Sequence, residues 1–167
     1  MGCDIHAYAE IRGSDGTWQY AGDNAFPANE DDKNCPFDGA RDYRMFGFLA
    51  DVRNYSHSPV IAEPRGVPDD ASGKVRAEWD PDYDYHSASW LTLAELDAYD
   101  YDQTFWDRRI TRQTESGGFD GRALAEEGEG VHLPLREFLG EGFFGYLDGL
   151  RKLGGPENVR IVFWFDS

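Results

Sequence analysis

The chain opens with alternating polar and apolar residues, which predict a β-strand from Asp4 to Arg12. Side chains alternate between the two faces of a strand, so one face is polar and the other is apolar. The polar face is predicted to carry Asp4, His6 and Tyr8, and the apolar face Cys3, Ile5, Ala7 and Ala9. A turn-forming run at residues 13–16 leads to a second strand at 17–21, which indicates a hairpin.

The segment from Val159 to Asp166 is the most continuous apolar run and predicts a central strand covered on both faces. Apolar stripes and capping residues predict helical segments after Asp42 to about Arg53, from Leu93 with interruptions to about Gln113, at Leu133–Pro134, and along Phe143–Leu153. Segments 22–40, 54–85 and 117–130 are rich in loop-forming residues and predict long loops. We therefore expect an α+β fold and a single domain over residues 1–167. Its mainly antiparallel sheet contains the N-terminal hairpin and the C-terminal strand, packed against helices.

The formal net charge of −16 is the strongest bulk signal in these 167 residues. Free nucleic acid is not expected as a ligand, because binding it normally needs a positive surface. The charge is compatible with a mimic of nucleic acid that occupies a basic host protein, with a cation-binding protein, or with a plain solvated acidic surface. The charge therefore restricts the partner without fixing the mechanism.

No stretch approaches the roughly 20 apolar residues that cross a bilayer. The N-terminus has neither the basic nor the apolar region of a signal peptide. We therefore expect a cytoplasmic protein without a membrane partner. In that compartment Cys3 and Cys35 are expected to remain thiols, with Cys3 as a small core residue.

Two Asp-x-His pairs are the main candidates for chemistry. Asp4 and His6 lie in the first strand, and Asp84 and His86 precede the helix that begins at Leu93. Brought together, and joined by Asp166 from the last strand, they would form a site for zinc or manganese that activates water. The alternative is that each histidine is half-buried and hydrogen-bonded to its nearby aspartate.

Arg65 is the candidate anion-binding residue. It lies in Pro64-Arg65-Gly66-Val67-Pro68, where two prolines restrict the backbone and Gly66 permits a tight turn. A pre-ordered arginine loses less entropy when it binds a phosphate or carboxylate. The alternative is an internal salt bridge to one of the many acids. Arg41, Arg44 and Arg53 are further candidate cations around the preceding helix.

Several segments of the sequence are similar to a known family: Met1–His6 (Met-Gly-Cys-Asp-Ile-His), Tyr43–Arg53, Pro64–Asp70, His86–Thr92 and Val159–Asp166. Together they resemble a family of small phage and prophage proteins. The resemblance implies a phage context, hence the cytoplasm of a host cell, and assigns no activity. Small non-structural phage proteins often modify nucleotides, process phosphoesters or block host defence.

Three functions fit these residues. The first is metal-assisted hydrolysis of a phosphoester or nucleotide, with His6, His86 and Arg65 as catalytic residues. The second is a non-catalytic sponge for a small anionic ligand such as a nucleotide, held by Arg65, the histidines and Trp90. The third is an acidic mimic of DNA that inhibits a basic host protein.

Overall fold

The structure is a computed structural model that describes residues 2–22, 41–126 and 128–167, without the side chains of Arg122 and Ala123. In chain order the elements are β1 (Asp4–Arg12), β2 (Trp18–Tyr20), α1 (Tyr43–Ala50), α2 (Gly73–Glu78), β3 (His86–Thr92), α3 (Leu93–Ala98), β4 (Thr104–Asp107), β5 (Arg109–Gln113), β6 (Phe119–Leu124), β7 (Val131–Pro134), α4 (Leu135–Arg151) and β8 (Val159–Asp166). The α+β fold is as predicted. Cys35 and most of the loop predicted at residues 22–40 lie outside the described residues.

The described residues form two compact units, each built from segments that are separate in sequence. The first unit comprises the described residues of Met1–Arg41 together with Pro64–Tyr99 and Gly142–Ser167. The second unit comprises Asp42–Glu63 and Asp100–Glu141. One of the divisions falls within α4, next to Gly140, whose backbone (φ 76°, ψ 172°) interrupts the helix.

A four-stranded antiparallel sheet in the order β2-β1-β8-β3 forms the first unit. The N-terminal hairpin and the C-terminal strand lie in this sheet, as predicted, and α3 packs on β3 and β8. Strand β8 is one of the two inner strands, and its side chains from Val159 to Phe165 are almost fully buried. The prediction that this strand is covered on both faces is therefore confirmed.

The two faces of this sheet differ in chemistry. Cys3, Ala7 and Ala9 are buried on one face, as the alternation along β1 predicts. The other face, here called the tryptophan face, carries Asp4, His6, Tyr8 and Glu10 of β1 and Arg160, Val162, Trp164 and Asp166 of β8. It is also covered, because Val75 of α2 joins Tyr8, Val162 and Trp164 in a buried cluster. The charged side chains of the tryptophan face therefore lie at its two ends.

The second unit contains α1 and two hairpin-like pairs, β4–β7 and β5–β6. Helix α1 is capped by the Asp42 side chain, as predicted, and ends at Asp51 in a left-handed conformation (φ 59°), before the predicted end near Arg53. Phe105 of β4 packs edge-on against Phe138 of α4, with ring centroids 5.0 Å apart.

Several predicted loop and helix boundaries are wrong. Helix α2, capped by Ser72, interrupts the segment predicted as irregular at 54–85. The capping box of Thr92 and Glu95 is present, but its helix ends at Ala98 and strands β4 and β5 follow. Strand β6 lies within the predicted loop 117–130, and Leu133–Pro134 ends strand β7. In each strand, pairing with a distant partner outweighs the local helical or loop preference.

None of the helices in the described residues is long and apolar enough to span a membrane.

Candidate functional site

The candidate site lies at the end of the tryptophan face where β1 begins and β8 ends. Asp4 is paired with Asp166, and His6 with Trp164, in the antiparallel register of these strands. Nε2 of His6 lies 3.1 Å from Oδ2 of Asp166, and the two side chains remain 33% and 28% exposed. Asp166 is therefore beside the first strand, as expected. The chain brings together residues 160 positions apart.

The hydrogen bond fixes the chemistry of the His6 ring. An ionised carboxylate only accepts hydrogen bonds, so Nε2 of a neutral His6 carries the proton and donates it to Asp166. Nδ1 is then the basic nitrogen, and the described residues form no hydrogen bond to it. A histidine oriented in this way by a carboxylate is suited to accept a proton and to hold the resulting charge.

The negative charge of Asp4 is compensated by an ion pair with Arg41. Arg41 donates to it through Nε (2.7 Å) and Nη2 (2.9 Å) in a bidentate pair. Gly2 permits this approach, because a Cβ at position 2 would collide with the guanidinium. The hydrogen bonds from Arg41 lower the pKa of Asp4, and the charge of Arg41 acts in the same direction, as does that of His6 when its ring is protonated. Each partner is 53% exposed, which leaves the guanidinium open to solvent.

Aromatic rings enclose His6 on its inner side. Its ring centroid lies 5.2 Å from that of Tyr85 and 6.1 Å from that of Trp164. Burial raises the pKa of Tyr85, and the nearby Tyr83, Asp166 and Glu78 raise it further, whereas the indole N–H of Trp164 lowers it. Although close enough to affect Tyr85, Nε1 of Trp164 completes no hydrogen bond within the described residues.

His86 and Asp84 are not brought to this site. His86 is paired with Phe165, so it lies on the face opposite to His6, and it stacks on the Phe165 ring at 6.0 Å. Its ring nitrogens contact the hydroxyls of Ser87 and Ser167, both at 3.1 Å. Asp84 is exposed in the turn before β3. A β-bulge between His86 and Ser89 decides this placement, because an uninterrupted register would set His86 opposite Asp166.

Arg65 takes the internal salt bridge that the sequence left open. Its guanidinium binds both carboxylate oxygens of Glu95, at 2.6 and 3.1 Å, and donates to the Trp90 carbonyl. It also lies over the Trp90 ring, 5.0 Å from its centroid. These hydrogen bonds lower the pKa of Glu95, which also caps α3 through Thr92. Arg65 and Trp90 thus hold β3 and α3 together, at a distance from His6 along the sheet.

The predicted five-residue metal set is not assembled. Within residues 2–22, 41–126 and 128–167, no three His, Cys, Asp or Glu side chains are grouped so as to hold a metal ion. The physical reasons are the bulge that turns His86 to the other face and the engagement of Asp4 by Arg41. Of the predicted ligands, His6, Asp4 and Asp166 share one end of the sheet.

The sequence gives only weak signals for two residues of this site. Tyr85 lies beside His86 in an aromatic, aspartate-rich run. Arg41 is one of several candidate cations near α1. No sequence pattern connects it to Asp4, because the two residues are 37 positions apart.

No protein-family model, no curated protein and no solved structure matches this chain. The function is therefore argued from the site itself.

Proposed function

We propose that the protein hydrolyses a small phosphoester, with His6 as the general base and Asp166 as the residue that orients it. The observation that carries this proposal is the 3.1 Å hydrogen bond between His6 Nε2 and Asp166 Oδ2, in a partly exposed position at the end of the sheet. Such a pair supplies a fixed tautomer and a nearby negative charge, as general acid–base catalysis requires.

The proposed step uses the free lone pair of Nδ1. This atom takes a proton from water while the water oxygen attacks phosphorus, and the bond from phosphorus to the leaving oxygen breaks. The resulting imidazolium then gives its proton to the leaving oxygen. Asp166 stabilises the positive ring in between, because its carboxylate keeps the hydrogen bond to Nε2.

Arg41 is the residue that best fits the anionic group of such a substrate. Its planar guanidinium binds a carboxylate in bidentate fashion here and would bind a phosphate in the same way. Because it is half exposed, exchange of Asp4 for a substrate oxygen needs no unfolding. Arg65, held by Glu95 and Trp90, is less suited to this exchange. The resemblance to small phage proteins favours nucleotides and related phosphoesters as substrates.

The test is turnover of bis(p-nitrophenyl) phosphate, p-nitrophenyl phosphate and a panel of nucleotides by the protein and three variants. We expect His6→Gln to lower kcat/KM by about 100-fold or more, since removal of a general base has an effect of that order. Asp166→Asn is expected to lower kcat because the ring loses its oriented tautomer. Near-ultraviolet circular dichroism checks that each variant keeps its fold.

His86→Gln is the matched control. It removes a half-buried imidazole from the same sheet, on the opposite face, and is expected to keep full activity. If the protein turns over none of the substrates, or if His6→Gln is as active as the wild type, the proposal is wrong. Equal losses in His6→Gln and His86→Gln would instead favour the two-histidine site predicted from the sequence.

Elemental analysis decides whether zinc or manganese takes part in the reaction. The geometry of the site gives no support for the metal that the sequence predicts. The protein is purified without a histidine tag and compared with His6→Gln and His86→Gln. One equivalent of metal that is lost in both variants would replace the proposed acid–base mechanism with the metal-assisted one. Metal lost in His6→Gln alone would point to a site built from His6, Asp4 and Asp166.

A second candidate is non-catalytic binding of a nucleotide at the same place. It is favoured by the exposed ring of Tyr83, whose centroid lies 4.4 Å from that of Tyr85 beside His6, because exposed aromatic rings stack on nucleobases. The two candidates differ in the fate of the ligand. A nucleotide recovered intact after the complex is denatured would favour binding, and a cleaved one would favour hydrolysis.

A further inference from the structure

A surface tryptophan in the second unit has no role in the His6 site. Trp106 on β4 is 46% exposed and pairs with His132 on β7, with ring centroids 5.0 Å apart. The neighbouring Phe105 points to the other face, where it packs on Phe138. Strand alternation therefore places Trp106 on the outer face of this two-stranded sheet, where a large apolar side chain gains little from folding.

A cavity of about 280 Å³, here called the Trp106 pocket, adjoins this ring. It is lined by Trp106, Arg108, Glu126, Gly128 and Glu129. The guanidinium of Arg108 is held by the backbone, because its Nε and Nη2 both donate to the carbonyl of Ala125, at 3.0 and 2.5 Å. The pocket thus combines an aromatic ring with two carboxylates.

We propose that the Trp106 pocket binds an arginine side chain of a partner protein. An aromatic face attracts a cation, and Arg is the cation that both stacks on a ring and binds a carboxylate with two parallel hydrogen bonds. The rim supports a protein partner, because His132, which packs against Trp106 on the same face, is also exposed. The net charge of −16 favours a basic partner over an acidic one. This inference does not rest on the His6 site.

The chain carries its own competitor for this pocket. Nη2 of Arg112 lies 3.3 Å from Oε2 of Glu129, and both side chains are about half exposed. The same oxygen also accepts a hydrogen bond from the backbone N–H of Glu126, at 3.0 Å. An exposed ion pair of this kind is weak and exchanges readily for another guanidinium. Arg112 therefore competes with a ligand arginine for Glu129.

The experiment titrates the protein with the capped peptide acetyl-Gly-Arg-Gly-amide and follows the indole N–H signal of Trp106 by ¹H–¹⁵N NMR. The neutral isostere, with citrulline in place of arginine, is the ligand control. We expect the arginine peptide to shift the Trp106 signal in a saturable, salt-sensitive manner and the citrulline peptide to leave it unchanged. Because Trp106→Leu removes the indole reporter, its affinity is followed by the backbone signal of Gly128.

Three variants and one control test the assignment. Trp106→Leu and Glu126→Gln are each expected to weaken binding by roughly two- to five-fold, the effect of one exposed cation–π contact or ion pair. Arg112→Gln is expected to strengthen binding. Glu115→Gln removes an exposed carboxylate that does not line the pocket and is expected to have no effect. Equal binding of the citrulline peptide, or affinities unchanged in Trp106→Leu and Glu126→Gln, would overturn the proposal.

Discussion

Arginine–carboxylate pairs stand at both ends of the tryptophan face, and their surroundings give them different roles. At one end Arg160 Nε lies 2.6 Å from Glu10, and at the other Arg41 Nε lies 2.7 Å from Asp4. The distances are almost equal. The side chains of Arg160 and Glu10 are 3% and 0% exposed, however, whereas those of Arg41 and Asp4 are both 53% exposed.

The buried pair is part of a larger stack. Arg160 lies between two indoles, 4.1 Å from the ring centroid of Trp18 and 5.7 Å from that of Trp90. It also binds Asp70, and Glu10 accepts a 2.6 Å hydrogen bond from the backbone of Ser72, which caps α2. With these contacts filled, neither charge is available to a ligand. This end of the sheet is structural.

The exposed pair of Arg41 and Asp4 can exchange partners, because both side chains are open to solvent. Water screens its charges, so breaking it costs little and a ligand can replace either partner. Burial, more than residue type or distance, separates an arginine that is fixed in the fold from one whose partner can be exchanged. The pair of Arg65 and Glu95 is intermediate, because its side chains are 31% and 37% exposed.

The largest effect is expected from Arg160→Met, which leaves the Glu10 carboxylate buried without its cation. We expect the free energy of unfolding to fall by about 3–5 kcal/mol, as when one partner of a buried ion pair is removed. Urea denaturation with an unchanged m-value measures it. The double variant Glu10→Gln/Arg160→Met, which removes both charges, should recover much of the loss. A loss below about 1 kcal/mol in the single variant would contradict a structural role for the pair.

Local sequence signals were sufficient to predict the two long strands of the first unit and the starts of helices α1 and α3. The alternation from Asp4 to Arg12 predicted which side chains share a face, and the apolar run from Val159 predicted the central strand. The caps Asp42 and Thr92 predicted where α1 and α3 begin. These features depend on neighbouring residues only, which is why the sequence reveals them.

The remaining elements depend on distant partners. Strands β4 and β7 are short and stabilise each other across about 25 residues, so neither shows a convincing pattern alone. Helix α2 has six residues and one fully buried side chain, Val75, too few for a visible stripe.

The same distinction applies to the site. His6 and Asp166 were predictable as neighbours, because both follow from strand alternation and an antiparallel pairing of the chain ends. The position of His86 was not, because one additional residue in the bulge turns it to the opposite face. Ser87, within that bulge, adopts a left-handed backbone (φ 52°). Serine seldom adopts this conformation, so the sequence gives no sign of the bulge.

An intermediate effect is expected from Arg65→Gln. Because hydrogen bonds from Arg65 lower the pKa of Glu95, the pair stabilises the fold above the ordinary pKa of that carboxyl, 4.5, and loses this contribution as the pH falls below it. We expect a loss of at most about 1 kcal/mol at neutral pH, since the pair is partly exposed, and no difference from wild type in strong acid. Unfolding measured across this pH range checks the sign, and Lys74→Gln, which breaks an exposed pair with Glu78, is the control. A loss that persists unchanged at low pH would indicate that stacking of Arg65 on Trp90 dominates.

The smallest effect on stability is expected from Arg41→Gln, at the open end of the sheet. Both partners are half exposed, so the free energy of unfolding should change by less than about 1 kcal/mol. The pKa of Asp4 should nevertheless rise toward its ordinary value of 3.8, because hydrogen bonds from Arg41 are the largest cause of its lowering. A ¹³C NMR titration of the Asp4 carboxyl measures this rise.

The rise in the Asp4 pKa and substrate binding together decide the role of Arg41. If the guanidinium serves the substrate, Arg41→Gln should raise KM for an active phosphoester while the stability stays near that of the wild type. Arg44→Gln, which breaks an exposed pair with Asp42 next along the chain, should leave KM unchanged. A large loss of stability with an unchanged KM would make Arg41 a structural residue like Arg160, and the proposed distinction between the two ends of the sheet would fail.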